Sequence, residues 1–228
     1  LVANLAQLLE TICNVPINGG WKTTLAPATR IVCAMSNPYL TNEAQLLYAK
    51  ILHDIAAPLG ALTLCMDDIK NALPESAELV ELSIETLSQR ISYWRLMVTG
   101  SAQSPTYSDA ATTIRAMAKL KSTEVTFVHA EDYQGEYVRL ILALTLVCLE
   151  SLPRGGKIII DADQGNVTAS GEKCYLSKEI QDAVSGSVDV PSSRHSLGML
   201  IYNWAKNFGA TVNLEHEPTK LVLALVKF

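Results

Sequence analysis

Apolar residues recur at alternating spacings of four and three along the first half of the chain, at Tyr48, Ile51, Ile55, Pro58, Leu62, Cys65 and Ile69. This is the seam of a helix that packs lengthwise on another helix, and Leu52, Leu59, Met66 and Leu73 widen it. The run breaks at "NALPES", where Pro74 interrupts it. A second stripe follows at Val80, Ile84, Leu87, Ile91, Trp94 and Val98. Two such helices joined by a short turn predict an antiparallel hairpin. A lone hairpin cannot bury both wide faces, so the pattern predicts a homodimer in which two hairpins make a four-helix bundle.

After "TGSAQSPT" the period changes. Residues 108–120 read as a helix, "EVTFVHA" as a strand and residues 136–152 as a strongly apolar helix. "GKIIIDA" and "NVTASG" read as a hairpin around "DQG". Helices are expected near 176–184 and 194–208, the second ended by Gly209, and the strands "ATVNLEH" and "KLVLALVKF" finish the chain. This order predicts an α+β protein: a helical hairpin, then an α/β sandwich with helices on one face of a sheet. Three segments result: 1–40, without readable chemistry; 41–103, the hairpin; and 104–228, the sandwich.

Composition narrows the function classes. A formal net charge of −5 over 228 residues argues against a nucleic-acid partner, whose binders are basic. The longest apolar run, Leu140 to Leu149, is too short to span a bilayer, and no basic segment precedes "LVANLAQLL" as in a signal peptide. Five cysteines without a CxxC pair read as reduced thiols of a cytoplasmic protein, with no metal-ligand spacing.

One stretch does not serve helix stability. "HDIAAPLG", His53 to Gly60, places a His-Asp pair, a proline and a glycine inside the first helix. On a regular helix His53 falls opposite the seam and faces water. Its neighbours one turn away are Ala49, Lys50, Ala56 and Ala57, and beyond them lie Gly60 and Ala61. The imidazole is thus expected on a nearly bare platform that another backbone can approach. His129, His195 and His216 have no such setting and read as structural or solvated. Arg154 and Lys157 flank Gly155-Gly156, which reads as a tight turn into a strand rather than a phosphate loop.

His53-Asp54-Ile55-Ala56-Ala57-Pro58-Leu59 resembles the H-box, H-[DE]-hydrophobic-x-x-P-L, of two-component histidine kinases. In that family the box lies on the first helix of a dimerisation and phosphotransfer hairpin. The nucleotide ligands of the kinases have no counterpart. "EYVRLILALTLVCLESL" contains no Asn for Mg²⁺, and "DADQGN" is not a D-x-G-x-G loop. "RHSLGMLIYNWAKNFGATVNL" is similar to a degenerate version of the kinase lid segment, and "SLPRGGKIII" is similar to a stretch of the histidine phosphotransferases of the ChpT type. The resemblance to that family covers roughly residues 44–228. It implies a degenerate ATPase-like domain at 104–228 and a homodimer that relays phosphoryl groups between receiver-domain aspartates through His53.

The same resemblance implies no cofactor of its own, the Mg²⁺ being the receiver's. It implies response-regulator receivers as partners, with a hybrid histidine kinase as a candidate donor. Asp54 would hydrogen-bond the His53 ring, and Lys50 would meet the acidic receiver or the phosphoryl oxygens. Ala57, Gly60 and Ala61 would form the docking platform. Three other readings remain open at this point: an ATP-dependent histidine kinase fragment, a non-catalytic receiver-binding dimer, and an unrelated helical-plus-α/β protein with a chance H-box.

Overall fold

The computed structural model of the protein describes residues 50, 51, 54, 55, 58–62, 65, 74–98, 105–128, 133 and 135–227. Residues 50, 51, 54, 55, 58–62 and 65 are helical and are called here the H-box helix. His53, Ala57, His129 and the segment 1–40 lie outside the described residues. The chain from Thr41 to Phe228 forms a single unit.

Helix α1 spans Pro74–Val98. Proline at the first helical position is favourable, because the missing N–H there has no helical partner to lose. The predicted stripe is visible in its burial. Val80, Leu87 and Trp94 are buried, whereas Ile84, Ile91 and Val98 are half-buried.

Helix α2, Tyr107–Leu120, starts on a capping box. The Thr106 hydroxyl accepts from the Asp109 N–H at 3.1 Å, and the Asp109 carboxylate accepts from the Thr106 N–H at 3.1 Å. The Thr106 hydroxyl also donates to the Asp109 carboxylate at 2.7 Å, and this bond, followed by the one from the Thr106 N–H, holds the Asp109 carboxyl below its ordinary value.

Strand β1 (Thr123–Phe127), helix α3 (Glu136–Ser151) and strand β2 (Gly156–Asp161) make a parallel crossover. Strand β3, Asn166–Ser170, returns antiparallel to β2. A short helix α4 (Lys178–Val184), a 3₁₀ turn (Ser193–His195) and helix α5 (Ser196–Asn207) lead to a terminal hairpin. Its strands are β4 (Ala210–Glu217) and β5 (Lys220–Lys227). The five-stranded sheet has the order β1-β2-β3-β5-β4.

Period-two alternation fixes which side of the sheet is covered. Ile158, Ile160, Val167, Ala169, Leu221 and Leu223 point into the core, while Lys157 and Ile159 point outward. Helix α3 lies on the covered face. It is apolar nearly all round, with Val138, Leu140 through Leu144, Cys148 and Leu149 inaccessible, as expected of a helix with protein on every side. The last turns of α1 reach the same core through Tyr93, Trp94 and Met97, and Tyr93 donates its hydroxyl to the Leu142 carbonyl at 2.7 Å. Burial pushes that phenol well above its ordinary range, so it stays a donor.

Two glycines are set by close approach. A β-carbon on Gly155, at φ +75°, would stand 2.4 Å from the Ser122 carbonyl oxygen and 2.8 Å from that of Lys121. The "RGG" turn is therefore pressed against the α2–β1 turn, as a turn into a strand requires. A β-carbon on Gly198 would stand 2.5 Å from that of Ala183, so Gly198 lets α5 lie close on α4. The expected "DQG" turn is present: the Asp161 carboxylate accepts from the Gln164 N–H at 3.0 Å, and Gly165 takes φ +65°.

Among the described residues no helix is long and apolar enough to cross a membrane. Cys65, Cys148 and Cys174 are free thiols.

Candidate functional site

Asp54, the residue after His53, is only 6% exposed. A buried carboxylate must find partners, because transfer of an unpaired charge out of water is costly. Its partners come from two elements. Lys50, one helical turn earlier, brings its ammonium to 3.0 Å from Asp54 Oδ1. Arg90, on α1, brings a guanidinium nitrogen to 3.7 Å from the same oxygen and 3.5 Å from the Asp54 carbonyl oxygen. Lys50 also reaches across the sequence to Glu150, in the last turn of α3, at 3.2 Å.

The end of α3 explains why cations gather there. A helix C-terminus carries the negative end of the macrodipole and unpaired carbonyls, and it favours basic residues. Helix α3 has none in its last turn and carries Glu150 instead. The compensation comes from other segments. Lys121, in the turn after α2, donates to the Leu149 carbonyl at 3.0 Å, and Lys50 pairs with Glu150.

The two lysines respond differently to their surroundings. Burial works to lower the Lys50 ammonium, but Glu150 and then Asp54 outweigh it and leave its pKa raised. Burial also lowers Lys121; there Glu150 opposes the shift without reversing it, and Arg90 and Lys50 add repulsion. Both observations describe one mixed-charge cluster in a partly dry setting. A small pocket beside it is lined by Asp54, Arg90, Tyr93, Trp94, Met117, Lys121, Leu146 and Glu150.

The predicted site residues therefore divide. Gly60 and Ala61 are exposed, and a β-carbon on Gly60 would meet nothing within 4 Å. His53 and Ala57 lie outside the described residues. Lys50 and Asp54 turn toward the C-terminal half of the chain. Lys50 was read as a residue for an incoming partner; the structure engages its ammonium with two carboxylates of its own chain. The sequence reading missed Arg90, Lys121 and Glu150. The Lys50–Asp54 spacing of four was a readable pairing signal; the link to Glu150, 100 residues away, had none.

The remaining histidines have local roles. The His195 ring accepts at Nδ1 from the Ser192 N–H at 3.1 Å and so helps cap the 3₁₀ turn, and His216 Nε2 lies 3.3 Å from the Cys174 carbonyl oxygen. Arg154 pairs with Glu172 at 3.2 Å on the surface.

The architecture, a helix-covered five-stranded sheet continuous with the H-box helix and α1, is also that of a solved bacterial phosphotransferase. The two superpose with a TM-score of 0.72 over 82% of this chain and 98% of the other, at 18% identity. Two histidine kinases are similar more loosely. The kinase domain of a blue-light activated enzyme from Erythrobacter litoralis gives a TM-score of 0.41 at 10% identity, covering 78% of this chain and 94% of that one. The kinase AdeS of Acinetobacter baumannii gives 0.40 at 10%, covering 76% and 95%. No curated protein matches in sequence. Residues 107–220 match the histidine phosphotransferase C-terminal domain, and the chain belongs to that family. The match spans α2 to the start of β5 and includes Glu150 and Lys121, but not the H-box.

Proposed function

We propose that the protein is a homodimeric histidine phosphotransferase that relays a phosphoryl group between receiver-domain aspartates through His53, without using ATP. One observation carries this reading: the residue after the H-box histidine is buried and ion-paired to Lys50, which in turn pairs with Glu150 of a domain of the histidine phosphotransferase family.

In the proposed step, the unprotonated ring nitrogen of His53 supplies an electron pair to phosphorus. The bond from phosphorus to the receiver's aspartate oxygen breaks, and the freed carboxylate takes its electrons. The proton on the other ring nitrogen stays on the resulting phosphoimidazolium, which needs an acceptor beside it; Asp54 is the proposed acceptor. Phosphoryl transfer of this loose kind asks mainly for positioning and charge stabilisation. An exposed imidazole with a pKa near ~6.5 is largely neutral at pH 7 and above. Mg²⁺ would be held by the receiver. Ala57, Gly60 and Ala61 would form the surface on which the receiver sits.

Independence from ATP is supported by two features. Helix α3 carries no Asn between Glu136 and Ser151. At its beginning, the rings of Tyr133 and Tyr137 pack at 5.1 Å between centroids, tilted by 51°, and their hydroxyls bond the β2–β3 turn at Asp163 Oδ1 and the Ala162 carbonyl. The degenerate ATPase-like reading of this domain rests on the same features.

The test has two arms. The protein is mixed with a radiolabelled phospho-receiver, or with radiolabelled Mg-ATP alone. Acid-labile, base-stable label should appear on this chain in the first arm, be absent in the second, and be lost from the first in His53→Ala. Binding of the receiver without label would leave a non-catalytic docking dimer, and label from ATP alone would restore the kinase reading.

A further inference from the structure

We propose that Glu150, at the end of α3, is a positioning residue for phosphoryl transfer: it holds Lys50, which together with Arg90 fixes Asp54 beside the reacting histidine. The inference rests on the reading of His53 as phosphoryl acceptor.

The placement of Glu150 makes poor sense for the helix that carries it. An acid in the last turn adds negative charge to the negative end of the macrodipole, and α3 supplies no basic residue there. The structure gives that acid a partner 100 residues away, the Lys50 ammonium at 3.2 Å. Lys50 in turn is 3.0 Å from Asp54, whose side chain is 7% exposed. The chain of contacts runs from the family domain to Asp54 through two charge-assisted bonds. Such bonds fix direction as well as distance. Helix α1 closes the other side, where Arg90 contacts both the carboxylate and the carbonyl oxygen of Asp54.

The Asp54 carboxylate is therefore held from two sides, by Lys50 on its own helix and by Arg90 on α1. A nucleophile held in a productive geometry recovers much of the entropy that a free encounter would lose. Removing Glu150 cuts the tie of Lys50 to α3, and the Lys50 side of the brace on Asp54 is loosened. Among the described residues, the charged and titratable groups that face Asp54 are Lys50 on its own helix, Arg90 and Tyr93 on α1, Lys121 in the turn after α2, and Glu150 on α3.

The experiment compares Glu150→Gln, Lys50→Gln and Lys50→Arg with the full-length wild type. Three readouts are taken: melting temperature, single-turnover transfer from a phospho-receiver against pH, and the His53 ring titration by NMR. The His53 resonance is assigned by its loss in His53→Ala. A purely structural role predicts a lower melting temperature and an unmoved titration. A positioning role predicts near-normal melting of Glu150→Gln with transfer slowed by about tenfold or more.

The titration should also move in opposite directions. Losing the negative Glu150 lowers the His53 pKa, and losing the positive Lys50 raises it, by about 0.3 unit or more each. Lys50→Arg keeps both pairings and should restore transfer to within about threefold. Wild-type transfer rates in Glu150→Gln with an unmoved titration overturn the proposal. If Glu150→Gln fails to fold, the lysine pair decides: loss in Gln with rescue in Arg supports it, and equal activity of the two overturns it. Absence of any phosphohistidine in the wild type refutes the His53 reading instead, and the titration then decides on the clamp alone.

Discussion

At Gly60 a side chain would enter open space, since its β-carbon would meet nothing within 4 Å. A glycine in such a place costs helix stability, about 0.5–1 kcal/mol relative to alanine, with no packing reason for it. Clearance for a docking receiver accounts for it in the proposed function. Gly60→Ala should raise the melting temperature slightly and leave transfer nearly intact. Gly60→Arg should fold equally well but weaken receiver binding, which titration calorimetry with a receiver domain measures. An early-melting Gly60→Arg would make the glycine structural, and undiminished binding would move the docking surface elsewhere. The exposure of Gly60 and Ala61 was legible in the sequence, because helical phase alone orders their faces. The engagement of Lys50 was half legible. Its spacing from Asp54 lies within one helix, whereas its tie to Glu150 depends on tertiary structure that local patterns do not encode.

On the scale of elements, helix α1 keeps part of its stripe half open. Ile84, Ile91 and Val98 alternate along it with the buried Val80, Leu87 and Trp94, and Leu79 and Leu82 are 55% exposed. A second copy of the hairpin would cover that surface in the proposed dimer. Ile84→Glu or Ile91→Glu should convert dimer to monomer in light scattering or unfold the chain. A wild type that is monomeric at roughly tens of micromolar would count against the dimer, because obligate dimers seldom have stable monomers.

Element types and order in the C-terminal half followed directly from periodicity. An apolar stretch before a Gly-containing turn marked β2, whose residues Ile158 and Ile160 share the covered face, and a strongly apolar run marked the helix α3. The helix expected over 194–208 divides into a 3₁₀ turn and α5. Capping by the His195 ring at Ser192 accounts for the tighter first turn, a choice made by one side chain rather than by the hydrophobic pattern.

Across the whole molecule, the core ignores the change of pattern near residue 100. Tyr93, Trp94 and Met97 from α1 belong to the same cluster as Ile158 and Leu223 of the sheet. Met97→Ala, at a fully inaccessible position, should destabilise the chain by about 2–5 kcal/mol, the range for emptying a packed core site. Urea unfolding followed by tryptophan fluorescence and by circular dichroism should still give one coincident transition. Two separated transitions would mean that the hairpin and the sheet domain stand alone.

The clamp between Lys50 and Glu150 also has a consequence in time. A ribosome makes Lys50 100 residues before Glu150. At cellular rates of about 5–20 residues per second, roughly 5–20 s pass before the second carboxylate exists. For most of that interval the nascent H-box helix and its apolar stripe are already made, without α3 to pair with Lys50. The segment that would carry the phosphoryl group is thus synthesised early and completed late. A receiver meeting the unfinished chain finds the sequence of the site before it finds the site.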